Sequence, residues 1–163
     1  MIDILRIGND VLKEKATLVS DIDENIKNII NEMTEILEKK NGVGLAAPQI
    51  GERKRIFITK VPGDIIRVFI NPEIIQTSQE LEVYEEGCLS IPGVWANVVR
   101  PSAIIIQAYD IKGKIFKIEV DGVLSRVIQH ELDHLNGILF TDRLNDKQRE
   151  KVLKIYDRKN NPK

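Results

Sequence analysis

Gln129-His130-Glu131-Leu132-Asp133-His134-Leu135-Asn136-Gly137 is the stretch from which the rest of the chain can be read. It contains the only two histidines among the 163 residues. His130 and His134 stand at i and i+4 of a segment whose apolar residues, Val123, Leu124, Val127, Ile128, Leu132 and Leu135, recur at helical spacing. Such positions share one helix face, so two imidazole nitrogens can point at one metal ion. Glu131 follows the first histidine and can take a proton from a metal-bound water. This is an H-E-x-x-H arrangement with its third ligand missing. The plainer alternative is a chance pair on an amphipathic helix. Val123, Val127, His130 and His134 would then be core-edge packing, whereas on the functional reading the two valines wall a pocket.

Working outward, Asp121 is a candidate cap for this helix and Gly137 its stop. A second amphipathic helix is expected from Asp21 to Lys40, with Asp21 and Glu24 as a capping box and Asn41-Gly42 as its end. Residues 1–20 read as an extended stretch with a turn at Gly8-Asn9-Asp10, and residues 42–51 as a Gly/Ala/Pro-rich loop. Arg55–Val61 and Arg67–Ile75 read as strands joined by Pro62-Gly63-Asp64, with Pro72 ending or bulging the second. Leu81–Glu85 is a further short strand. Val98–Asp110 and Lys114–Val120 read as a hairpin turning at Lys112-Gly113. A last helix runs from Asp146 to Lys159. Short turns between strands imply antiparallel pairing, so the expected class is α+β: antiparallel sheets around the central histidine helix, with a helix at each end. The length predicts a single domain over residues 1–163.

Hydrophobic residues make up 42% and charged residues 30%, an ordinary balance for a soluble globular protein. The net charge of −1 argues against an overall electrostatic nucleic-acid binder, though not against a local basic patch. Met1-Ile2-Asp3-Ile4-Leu5-Arg6 has no basic start followed by an apolar run, and no segment approaches membrane-spanning length. A cytoplasmic protein without membrane or DNA partners is expected.

Three kinds of third ligand come into question. No further histidine exists. Asp142 follows closely after Gly137, and Glu150 lies on a charged helix, so neither is well placed. The remaining candidate is Cys88, the sole cysteine, in Glu85-Glu86-Gly87-Cys88-Leu89-Ser90. A thiolate is a strong ligand for zinc or ferrous iron. The two preceding acids argue against a thiolate stabilised by local positive charge, which leaves a metal as the better reason for an ionised sulfur. A buried, unreactive cysteine is the commoner case on composition alone. A Cys/His/His set would keep a fourth position open for water.

Three segments together resemble the peptide deformylases, of the bacterial type with a C-terminal helix. They are Gly42-Val43-Gly44-Leu45-Ala46-Ala47-Pro48-Gln49, Glu86-Gly87-Cys88-Leu89-Ser90 and Gln129-His130-Glu131-Leu132-Asp133-His134. The resemblance implies removal of the N-formyl group from the initiator methionine of nascent polypeptides, releasing formate. It implies Cys88, His130 and His134 as metal ligands and Glu131 as general acid/base. Ferrous iron is the implied native metal, with Ni2+, Co2+ or Zn2+ able to replace it, where ligand chemistry alone leans to zinc. The Gln49 side-chain amide and the Leu89 backbone N–H become oxyanion donors, and Gly44 lets substrate backbone approach. Val43, Leu89, Val127 and the His130 ring are expected to wall a methionine pocket. Glu86, Arg100 and Asp133 are expected to pair behind the cysteine loop. Trp95 stands where many members carry arginine or tyrosine, so specificity beyond the first residue is open.

The last helix carries Lys147, Arg149, Lys151, Lys154, Arg158 and Lys159. This is either a solvated face or, by resemblance, a contact with the ribosome. Two competing readings remain: a metallopeptidase cutting internal bonds, with a carboxylate as third ligand, and a metal-binding or ribosome-associated module without catalysis.

Overall fold

The computed structural model describes residues 3–161. The extended start expected over 1–20 therefore begins on two residues, 1 and 2, outside the described ones. After Gly8 the chain makes a short 3-10 turn at Asp10–Lys13, capped by the Asn9 side chain. Helix α1 (Glu24–Lys39) begins later than expected. Asp23 is its N-cap, accepting from the Ile26 N–H at 3.0 Å, so the Asp21/Glu24 capping box does not form. The loop expected at 42–51 contains a strand, β1 (Gly44–Ala46), and a 3-10 turn at Ala47–Ile50.

Strands β2 (Ile56–Thr59) and β3 (Arg67–Thr77) follow the expected antiparallel pairing. Pro72 marks a register shift in β3, not its end. β4 (Leu81–Cys88) and β5 (Ile91–Pro101) form a separate two-stranded sheet, while β6 (Ala103–Tyr109) and β7 (Ile115–Asp121) complete a five-stranded sheet of order β1-β2-β3-β6-β7. The expected strand Val98–Asp110 is thus two strands in two sheets. The chain turns the corner at Pro101-Ser102, where Ser102 N–H bonds Glu80 O and Ser78 N–H bonds Ala103 O, each at 2.9 Å. Both halves have strand-forming residues, and local periodicity does not say which sheet each one joins.

The large sheet is covered on both faces at β2. Ile56 and Ile58 join the α1 residues Ile29, Ile30, Met33 and Leu37 on one face, and Phe57 joins Phe69, Ile106, Ile128 and Leu135 on the other. Four consecutive residues are therefore buried instead of alternating. Helix α2 (Gly122–Leu135) packs on that second face, with Asp121 at its N-cap position making no side-chain capping bond. Helix α3 (Asp146–Asn160) packs on β5 through Val152, Ile155 and Tyr156. No helix among the described residues is long and apolar enough to cross a membrane.

α2 stops where expected. Gly137 has φ +73°, and a Cβ there would sit 2.7 Å from the Lys13 carbonyl carbon. Gly63 has φ +81° but open space around it. Gly137→Ala is expected to cost about 2 kcal/mol and Gly63→Ala about 1 kcal/mol, because only the first adds a collision to the backbone strain. Denaturation midpoints read the difference, and equal losses would show that the Lys13 contact adds nothing.

Candidate active site

α2 is buried around most of its circumference, and its polar residues divide by side. Val127, His130, Glu131 and His134 form one buried face at i, i+3, i+4 and i+7. Val123, expected on this face, is 46% exposed at the first turn and does not wall the site. Ser125, Arg126, Gln129 and Asp133 are buried elsewhere on the helix, and each has a hydrogen-bond partner.

The β4–β5 hairpin brings Cys88 to the histidine face. Cys88 Sγ lies 3.3 Å from His134 Nε2 across 46 residues of sequence. Just before it, Gly87 interrupts the register, and the Trp95 indole packs where a Gly87 Cβ would be, 2.6 Å away. Glu86 points back into a buried charge cluster. Arg100 donates to it from Nε at 2.7 Å and Nη2 at 3.0 Å. Arg126 Nη1 donates at 2.7 Å, and His130 Nδ1 lies 2.9 Å from Glu86 Oε1. Arg100 also reaches Asp133 at 2.8 Å, and Asp133 pairs with Arg143 at 2.7 Å. The negative charge of Glu86 is thus neutralised away from the sulfur. The expected Glu86–Arg100–Asp133 group is present, enlarged by Arg126.

Gln49 is held by its own turn. Its Oε1 accepts from the Ala46 N–H at 2.9 Å, which fixes the amide so that Nε2 faces Ser90 Oγ at 3.1 Å and Cys88 Sγ at 3.7 Å. Gly44, on the edge strand β1, keeps open a space that Glu131 fills. A Cβ at Gly44 would lie 2.5 Å from Glu131 Oε2 and 2.8 Å from Val127 Cγ1.

Burial dominates the electrostatics. It pushes the Glu131 carboxyl up to about 7, against the pull of the His130 ring. His134 is held well below the ordinary imidazole range by burial, and then by the His130 and Arg100 charges. Burial would also lower His130, but the Glu131 charge and the hydrogen bonds to Cys88 and Glu86 outweigh it and raise it well above that range.

Cys88, His130 and His134 each offer a ligand atom, all within 4.8 Å of one another. Two ligands of a tetrahedral ion with bonds of ~2.0–2.3 Å stand about 3.5 Å apart, close to the Cys88–His134 separation. Glu131 Oε1 is buried with no hydrogen-bond partner among the described residues, as expected of an oxygen facing a bound water. These observations fit a metal ion. The alternative ligands are elsewhere: Asp142 caps the Leu139 N–H, and Glu150 pairs with Lys154 on the surface.

A cleft of about 470 Å3 joins these groups, lined by Val43, Gly44, Gln49, Cys88, Leu89, Val127, His130 and Glu131, with Trp95 on its rim. A larger open hollow of about 640 Å3 lies between α3 and Ile7-Gly8, but it is lined by charged side chains of α3 and holds no histidine or cysteine. Arg126 and Ser90 escaped the sequence reading. An arginine one helical turn before His130, inside an apolar run, was the available signal for the first; for Ser90 it was its place in the motif of Cys88.

A family model described as polypeptide deformylase matches residues 1–150. The chain is 46% identical over 152 residues to a peptide deformylase of Borreliella burgdorferi, covering 92% of each. Among solved structures it resembles a Synechococcus elongatus peptide deformylase in complex with actinonin, with TM-score 0.91 and 38% identity over 94% of this chain and 86% of that one. It also resembles an Ehrlichia chaffeensis peptide deformylase in complex with actinonin, with TM-score 0.93 and 34% identity over 99% of this chain and 98% of that one. With its antiparallel sheets, three helices and Cys/His/His cluster, this chain belongs to the polypeptide deformylase family.

Proposed function

We propose that this chain hydrolyses the formyl group from N-formyl-methionyl peptides, releasing formate, with Cys88, His130 and His134 as ligands of one divalent metal. What carries this reading is the convergence of that ligand set with the unpaired Glu131 Oε1 and the oriented Gln49 amide in one cleft. The bound metal supplies Lewis-acid polarisation and an acidified water.

The chain's own groups supply the rest. Glu131, poised near neutrality, takes the proton of the attacking water and returns it to the departing amine nitrogen. Gln49 Nε2 and the Leu89 backbone N–H donate to the oxygen that gains charge as the carbonyl becomes tetrahedral. Because Oε1 of Gln49 is already committed to Ala46, the amide presents a donor and not an acceptor. Among the described residues β1 has one free edge, so the substrate backbone adds to it as an extended strand beside Gly44. Val43, Leu89, Val127 and the His130 ring enclose the methionine side chain.

A thiolate with two imidazoles accommodates Fe2+, Ni2+, Co2+ or Zn2+. We take iron as native on the family resemblance. A formylated nascent chain is a product of translation, which supports a cytoplasmic protein whose basic α3 side chains meet ribosomal RNA. Ribosome binding that weakens with rising salt is the expected signature.

On formyl-methionyl peptides, Glu131→Gln is expected to lower kcat/KM about 10²–10⁴-fold while keeping its metal. Cys88→Ser is expected to lose metal on dialysis. Formate release by Glu131→Gln at the wild-type rate would overturn the mechanism, and full metal retention by Cys88→Ser would point to a carboxylate ligand and the peptidase reading. Iron-loaded protein is expected to lose activity in air while nickel-loaded protein keeps it, since a ferrous thiolate is open to oxidation. Equal lifetimes in air would count against native iron.

A further inference from the structure

Arg126 is 7% exposed, yet the mechanism above gives it no part. It lies on α2 one turn before His130, and its guanidinium reaches across to the hairpin. Nη1 donates to Glu86 Oε2 at 2.7 Å and to Val98 O at 2.9 Å, and Nη2 donates to Glu82 O at 2.8 Å. The guanidinium carbon stands over the Tyr84 ring, 5.1 Å from its centroid. One side chain thus joins the histidine helix to both strands that support Cys88.

Glu86 is saturated. Oε2 receives Arg100 Nε and Arg126 Nη1, and Oε1 receives Arg100 Nη2 and lies against His130 Nδ1. His134 has no equivalent support, since its buried Nδ1 lacks a partner among the described residues. The orientation of the ligand set therefore rests on the Glu86 arm. Arg100 and Arg126 stand against Glu86 and Asp133 as two buried cations against two buried anions. Without Arg126, Glu86 Oε2 loses a donor and two carbonyls of the hairpin lose their anchor. Arg100 remains to hold Glu86, so the fold persists while the geometry loosens.

We propose that Arg126 is a positioning residue of the metal centre: it locks Glu86 onto His130 and braces the histidine helix against the hairpin that carries Cys88. This rests on the reading of Cys88, His130 and His134 as metal ligands. A residue that only braces the fold would change stability without changing what the site does to a metal.

The test is cobalt binding, which needs no turnover. Wild type, Arg126→Met and Arg126→Lys are stripped of metal and titrated with Co2+ against a chelator, with thiolate-to-cobalt and d–d absorption recorded. Ile29→Ala, a core truncation in α1, controls for general destabilisation. Arg126→Met is expected to weaken Co2+ binding about 10–100-fold and to shift the absorption bands. Arg126→Lys keeps a cation at Glu86 but not the fork that reaches both carbonyls, so it is expected to fall between wild type and Arg126→Met. Ile29→Ala is expected to bind as wild type. Wild-type affinity and spectrum in Arg126→Met would overturn the proposal. If Arg126→Met does not fold, wild-type affinity and spectrum in Arg126→Lys would do so. Wild-type protein that binds no Co2+ through a thiolate would instead sink the reading of the metal site itself, so the two failures are distinct.

Discussion

The structure depends on a buried carboxylate. Glu86 sits in the interior with Arg100, Arg126 and His130 around it, and each of these groups belongs to an element that must be in place for the cluster to close. Burial alone would raise the Glu86 carboxyl, but the hydrogen bonds from His130 and Arg100 hold it well below the ordinary carboxylate range. It is therefore a permanent anion. An unpaired buried charge is far costlier than a paired one, and removing one partner from such a pair costs about 3–5 kcal/mol. The hairpin thus cannot slide along α2 without exposing uncompensated charge. This fixes the distance between Cys88 and the histidines, which lie more than 40 residues further along the chain.

Steric gaps complete what the charges begin. Gly44 lets the Glu131 carboxylate and Val127 approach the edge strand, where any side chain would displace them. Gly87 lets the Trp95 indole lie flat against the strand beside Cys88, shaping the cleft mouth. The N-terminal segment then ties the two loops together, with Leu5 N–H bonding Gln49 O at 2.7 Å and Ile7 N–H bonding Ser90 O at 2.9 Å. Gln49 and Cys88 come from a 3-10 turn and a strand end far apart in sequence, yet their relative position is set by backbone hydrogen bonds and not by contact between the two side chains alone.

Periodicity made α1, α2 and α3 legible, because each shows an apolar stripe on a polar sequence. It also made β6 and β7 legible, where Ile104, Ile106 and Ala108 alternate between buried and half-buried neighbours. It failed where a strand changes sheets or is too short to show a period. The second half of β5 reads as one strand with β6, because hydrogen-bond partners are chosen across the fold. β1 was hidden in a glycine-rich loop because three residues show no period.

The residue types and spacing of His130, Glu131 and His134, the single cysteine and the three motifs determined which chemistry the chain could carry and which family it resembles. These are local or compositional facts, readable without a fold. The tertiary structure alone decided that the acid preceding the cysteine is neutralised, that Arg126 joins the histidine helix to the hairpin, that Gly44 makes room for Glu131, and that Val123 stands outside the site. Each of these depends on which side chains meet across long stretches of sequence, and burial then sets the charge state of the groups that meet.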